Sequence, residues 1–169
     1  MQLSTRRFGP ITSQSTEGLL DATNLAILTE LDREPRLPTS ELARRVGRSA
    51  PAVAERIARL QEAGVITGWR LDLGAAALGL PLHAYVRIRP APGQLPRVAR
   101  IAQQTPEIVS CDRVTGEDCF VANLHVRDVG HLEEVIDRFL AYGQTTTSIV
   151  QSSPVPRRSP PLPGAEPRP

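Results

Sequence analysis

The apolar residues change period near residue 82, and few folds accommodate both halves of that pattern. Before that point they recur at helical spacing in three short blocks separated by proline and glycine. Asp21 is placed to cap a first helix carrying Leu25, Leu28 and Leu31 in one stripe with Ile27 beside it, and Pro35 and Pro38 bracket its end. Thr39 or Ser40 caps a short second helix, ELARRV, which turns Leu42, Ala43 and Val46 inward, and Gly47 follows where a left-handed residue is wanted. Ser49 caps a third helix. Pro51 is tolerated in its first turn, and Val53, Ile57 and Leu60 share a face. Gly64 ends that helix, and residues 65–69 run out as a short extended segment.

After the change, Leu82, Ala84, Val86 and Ile88 alternate with His83, Tyr85, Arg87 and Arg89, the signature of a strand with one buried face. Leu95, Val98, Ile101 and Ala102 return to helical spacing. Strands are expected near 107–114 and 119–126, joined by a tight turn, Thr115-Gly116-Glu117-Asp118. Leu132, Val135, Ile136 and Phe139 mark another helix, and Gly143 begins a last strand, QTTTSIVQ. The order βαββαβ is the ferredoxin-like arrangement. The fold class is therefore α+β, with a helix-turn-helix domain at 18–68, a linker at 69–81 and an α/β domain at 82–151. Residues 1–17 lack periodic apolar spacing and are expected to form a flexible arm. Residues 152–169 hold seven prolines, too many for a hydrogen-bonded element, and read as a disordered tail; its Pro160 and Pro163 form a PxxP spacing.

The chain has 169 residues, enough for two small domains, each of which would gain from burying further surface in an oligomer. No run of apolar residues is long enough to span a membrane, and Arg6 and Arg7 are followed by no apolar signal region, so the cytoplasm is the expected location. Cys111 and Cys119 are too few for a disulfide framework, and hairpin pairing sets 111 opposite roughly 122, away from 119. His83, His125 and His131 lack metal-ligand spacing, so no metal or other cofactor is expected. All 20 basic side chains are arginine, a bias that itself says nothing about phosphate; their placement does.

Between residues 44 and 59 stand Arg44, Arg45, Arg48, Arg56 and Arg59 with a single acid, Glu55, and Arg70 comes next. Two helices joined through Gly47-Arg48, the second capped by Ser49, are the layout of a helix-turn-helix. Arg56 and Arg59 lie off the apolar stripe of the third helix, where a guanidinium reaches phosphate or a guanine edge. Ser49 and Ala50 offer free N–H groups at the helix start, and Ala50, Ala52 and Ala54 permit close approach to base edges. The DNA-binding candidates are thus Arg44, Arg45, Arg48, Ser49, Ala50, Ala52, Glu55, Arg56, Arg59 and Arg70. The bland alternatives are a solvated arginine face and helix-filling alanines.

The run LDATNLAILTELDREPRLPTSELARRVGRSAPAVAERIARLQEAGVITGW resembles the DNA-binding domain of the Lrp/AsnC, or feast/famine, regulators. Downstream, VTGED with its alternating strand, then HLEEVID and TTTSIV, is similar to the effector module of that family, and the resemblance covers about residues 19–151. It implies a sequence-specific transcriptional regulator of duplex DNA. It also implies dimers formed through the α/β sheets that assemble into tetramers, octamers or larger rings, and an amino acid or related metabolite lodged between α/β domains. Carried onto this chain, Thr115, Gly116 and Asp118 of the turn and Thr145, Thr146 and Thr147 of the last strand line that pocket; a carboxylate suits a ligand ammonium. The turn here, Gly116-Glu117-Asp118-Cys119-Phe120, departs from the Gly-Asp-Tyr-Asp commoner in the family. Local bonding in the turn and plain β-propensity are the competing explanations for Asp118 and the threonines. An enzyme is not expected, because the α/β domain shows no nucleophile–base pair, metal cluster or Gly-rich phosphate loop. The remaining alternative is an interaction subunit that assembles through the α/β domain without binding DNA; a steep salt dependence of duplex affinity separates the two.

Overall fold

A computed structural model describes residues 18–164. Its described residues form two compact units: one holds those up to Leu71 together with those from Arg157 onward, the other runs Asp72–Pro156. The arm expected at 1–17 lies outside the described residues, as does 165–169 of the tail.

The first unit contains α1 (Ala22–Arg33), α2 (Thr39–Arg45) and α3 (Ala50–Glu62). Asp21 caps α1, its side chain accepting from the Asn24 N–H at 2.7 Å. Leu25, placed in the α1 stripe by spacing, is only half-buried, while Asn24 is buried and donates to the Leu19 carbonyl at 2.7 Å. Helix α2 begins at Thr39, behind Pro38 as its N-cap, so neither Thr39 nor Ser40 caps it. Ser49 holds the N-cap position of α3 without closing a side-chain bond there. Gly47 takes the left-handed conformation expected of it (φ 64°), which lets the chain turn sharply between α2 and α3. Ile27, Leu31, Leu37, Leu42, Ala43 and Val53 make the core, with Val46, Ala50, Ile57 and Ile66 packed around it. After α3 the chain runs on without helix or strand until Ala75.

The second unit begins with a short 3-10 turn (Ala75–Leu78). There follow β1 (Leu82–Pro90), α4 (Leu95–Gln104), β2 (Ile108–Arg113), β3 (Phe120–Val126), α5 (Val129–Leu140) and β4 (Gly143–Ile149). The sheet order is β2-β3-β1-β4 with every pair antiparallel, the ferredoxin-like topology that the βαββαβ series points to. Ala84, Val86, Ile88, Phe120, Leu124 and Val126 of the sheet pack with Val98, Ala102, Leu132, Val135 and Phe139 of the helices. A register irregularity between Ile108 and Ser110 leaves Val109 exposed at the start of β2. At the other edge Gly143 pairs with Pro90 so closely that a Cβ there would lie 2.3 Å from the Arg89 carbonyl oxygen. Asp128 caps α5 through the His131 N–H at 2.8 Å. His131 is buried; its Nδ1 accepts from the Arg127 N–H at 3.3 Å and its Nε2 stands 3.0 Å from Glu107, whose carboxylate also meets Arg138 at 3.3 Å. Burial pushes the Glu107 carboxyl up, but a backbone N–H, His131 and Arg138 outweigh that and hold it below its ordinary value.

Residues 152–164 contain neither helix nor strand. They are not uniformly solvated, however. Ser159–Leu162 lie along α1 and residues 65–70 in the first unit.

Candidate nucleic-acid interface and effector face

Helix α3 buries Val53 and Leu60 and turns Pro51, Ala54, Glu55, Ala58 and Arg59 to solvent. The ten DNA-binding candidates fall into distinct environments on this unit. Arg59 reaches back one turn to Glu55 at 2.5 Å, and both side chains remain nearly two-thirds exposed. A pair so open contributes about 0–1 kcal/mol, so little holds the Arg59 guanidinium to Glu55. Arg48, in the turn, is exposed and donates to the Thr23 hydroxyl at 3.2 Å and to its neighbouring Gly47 carbonyl at 3.2 Å. Arg44 is exposed and bonded to Glu41. Ser49 is exposed, while Ala50 and Ala52 are half-buried at the start of α3.

Arg45 and Arg56 are engaged differently. The Arg45 guanidinium binds three carboxylates, Glu30 at 2.9 Å, Glu34 at 3.1 Å and Glu41 at 3.1 Å, and so ties α2 to α1. Arg56 donates to Asp21 at 2.7 Å and to Asn24 at 3.0 Å, fastening α3 to the N-terminus of α1. Hydrogen bonds from Arg44 and then Arg45 hold the Glu41 carboxyl down at about 2, and the hydrogen bond from Arg56 lowers that of Asp21. Arg70 lies beyond α3, on the groove that Ser159–Leu162 follow.

In the α/β unit, strand alternation sorts the side chains. His83, Tyr85, Arg87 and Arg89 of β1 stand on the face away from the core, beside Val121, Asn123 and His125 of β3 and Gln144, Thr146 and Ser148 of β4. The three consecutive threonines therefore do not share a face. Thr146 is exposed opposite Arg87, whereas Thr145 and Thr147 are half-buried opposite Ile88 and Val86 of the core side. Thr115 and Gly116 are exposed at the tip of the β2–β3 turn, where Gly116 has φ 108° and the Val114 N–H closes onto the Cys119 carbonyl. Asp118 lies 3.7 Å from Arg89 and 4.0 Å from Arg87, and Glu117 pairs tightly with Arg89. Arg87, Arg89 and Glu117 are site residues that the reading of the sequence passed over. Their signal was the polar half of the β1 alternation, which shows which face they take but not that the turn folds over it.

Farther along that face the His83 and His125 rings stack at 4.4 Å, and His83 Nε2 meets the Asn123 side chain at 2.9 Å. Burial, and then the neighbouring His83, lowers the His125 pKa. Cys111 sits opposite Ala122, as the hairpin pairing requires, and burial followed by Asp112 pushes its thiol up to about 11. Among the described residues no group of three or more His, Cys, Asp or Glu side chains is arranged to hold a metal ion, and no helix is long and apolar enough to cross a membrane.

Two family models match the chain, a winged helix-turn-helix DNA-binding domain over residues 20–67 and an Lrp/AsnC ligand-binding domain over 83–160. The HTH-type transcriptional regulator LrpC of Bacillus subtilis is 30% identical over 133 residues, which span 79% of this chain and 92% of that protein. The chain belongs to the Lrp/AsnC family. This Lrp/AsnC protein is also 34% identical over 134 residues to the uncharacterized regulator YezC of the same bacterium, covering 79% of this chain and 95% of YezC. Among solved structures, LrpC superposes with a TM-score of 0.75 at 30% identity, covering 79% of this chain and 96% of LrpC. The feast or famine regulatory protein of Mycobacterium tuberculosis, solved as a complex with L-methionine, gives 0.78 at 30% identity, over 85% of this chain and 99% of that one. The Lrp/AsnC chain is accordingly a DNA-binding transcriptional regulator with its helix-turn-helix in the first unit and a ferredoxin-like module in the second.

Proposed function

We propose that this regulator works in the cytoplasm as a homo-oligomer joined through its α/β units, binds repeated half-sites on duplex DNA, and answers to an amino acid or closely related metabolite with no further cofactor. On the DNA side, Ser49 at the N-cap of α3 and Ala52, Glu55 and Arg59 within it face the base edges, with Arg44 and Arg48 toward phosphates and Ala50 packed beneath them. Arg45 and Arg56 hold the helices that present them.

One observation carries the effector reading: Asp118 stands at 3.7 Å and 4.0 Å from two arginines of the solvent-facing strand face, close enough to attract but too far to hydrogen-bond. A loose pair of opposite charges matches a zwitterion, whose carboxylate takes Arg87 or Arg89 while its ammonium takes Asp118. Thr146 lies beside Arg87 as a further polar contact, and Thr115 and Gly116 border the turn. The relative bound to L-methionine supports an amino-acid-sized ligand. Two small units, each with a solvent-facing surface, favour assembly.

Fluorescence anisotropy with labelled fragments of the gene's own upstream region, run across a salt series with and without each of the common amino acids, tests the proposal alongside sedimentation velocity. Salt-sensitive, saturable binding that beats random DNA and changes with one class of amino acid is the expected result. Binding indifferent to every amino acid, or a monomer in sedimentation, removes the effector or the assembly from the proposal.

A further inference from the structure

The PxxP spacing in the tail belongs to neither the DNA-binding nor the effector candidates, yet Ser159–Leu162 line a cavity of the DNA-binding unit. Ser159, Pro160, Pro161 and Leu162 line a cavity of about 420 Å³ together with Leu28, Leu31 and Pro35 of the α1 end and the segment from Val65 to Arg70, Trp69 included. Leu162 is the one residue between 151 and 164 that is not exposed. We propose that this groove is a binding site for a proline-rich segment, and that its resident occupant is this chain's own Ser159–Pro163.

The chemistry fits on both sides. Prolines at 160, 161 and 163 fix φ near −65° and bias their neighbours toward extended backbone, so little conformational freedom is lost on docking. An aromatic ring beside apolar walls is the usual receptor for such segments, because proline rings present flat apolar surface and no donors to satisfy. Here Trp69, 50% exposed with the segment beside it, supplies the ring, the buried Leu28 and Leu31 supply the wall, and the half-buried Leu162 is the anchor between the prolines. The segment follows the α/β unit in the chain, so the DNA-binding unit is joined to that unit by two stretches of chain, one before β1 and one after β4. The tail is then a second tether.

Trp69 is the sole tryptophan of the chain and reports on the groove directly. In the full-length protein, Leu162→Asp should shift its emission to the red and raise its quenching by acrylamide, while Leu162→Met leaves both unchanged. A chain ending at residue 152 should show the same exposed signal. A synthetic peptide of residues 156–169 should return that signal saturably toward the intact protein's. Circular dichroism of each variant verifies that the helices persist. Identical emission and quenching in the intact and Leu162→Asp proteins overturn the proposal. Protection of Trp69 that fades on dilution overturns the assignment to the chain's own segment, because it places another copy's tail in the groove.

Discussion

Replacing Arg56 by alanine separates a guanidinium that reads DNA from one that holds the domain together. Its Nη1 donates to Asp21 at 2.7 Å and to Asn24 at 3.0 Å, and its side chain is 32% exposed against 45% for Asp21. An exposed ion pair contributes about 0.2–1 kcal/mol, and a charge-assisted bond to a buried amide adds to it. Discounted for solvent, the loss is about 1–1.5 kcal/mol. For a unit of this size each 1 kcal/mol moves the midpoint by roughly 4–8 °C, so Arg56→Ala should melt several degrees lower by circular dichroism at 222 nm. Asp21→Ala should lose more than the ion pair alone, because it also uncaps α1. The double variant should fall short of the sum by about 0.5–1 kcal/mol, the signature of direct coupling. Arg59→Ala should behave oppositely: unchanged melting, affinity for the upstream duplex down about tenfold, and less discrimination against random DNA. If Arg56→Ala melts like the parent while weakening DNA binding as much as Arg59→Ala does, the account of Arg56 as an internal tie is wrong.

Lowering the pH tests the carboxylates of the same unit. Asp21 and Glu41 are held below their ordinary values of 3.8 and 4.5. Their stabilisation is therefore complete above about pH 4.5 and lost as the pH falls toward about 2; a helix-turn-helix unit whose stability is flat across that window contradicts it. Gly143→Ala should destabilise the α/β unit by well over the roughly 1 kcal/mol of an average substitution, because the new methyl meets the Arg89 backbone; guanidinium titration followed by near-ultraviolet dichroism measures the change. Phe139→Ala, at a side chain 1% exposed, should cost about 3–5 kcal/mol in the same titration. Asp118→Ala should weaken any amino-acid response about tenfold in calorimetric titration, the loss of one charge-assisted contact, and an unchanged affinity removes Asp118 from the effector site.

Periodicity alone was enough for the architecture, and the reason lies in which residues carry the cores. Ala84, Val86 and Ile88 alternate strictly because β1 is covered on one face, and Val53, Ile57 and Leu60 keep helical spacing because α3 packs on one side. Charge partners follow no such period. Arg56 finds Asp21 35 positions away, and Arg45 collects acids from two helices, so neither pairing exists until the helices have packed. A count of arginines between 44 and 59 therefore does not reveal that Arg45 and Arg56 are paired within the unit. Three threonines in a row likewise do not say which way each points: the strand sends Thr146 one way and Thr145 and Thr147 the other.

The DNA-binding unit is discontinuous in sequence, and this bears on the order in which its parts become available. During synthesis α1, α2 and α3 emerge and can pack early, but Ser159–Leu162, which line the cavity beside Leu28 and Trp69, follow only after the whole α/β unit has been made. Until then that cavity lacks the wall the tail supplies. A bulky fusion joined directly after residue 164 would emerge beside that groove, so a tagged preparation and an untagged one are expected to differ first in how the helix-turn-helix unit matures.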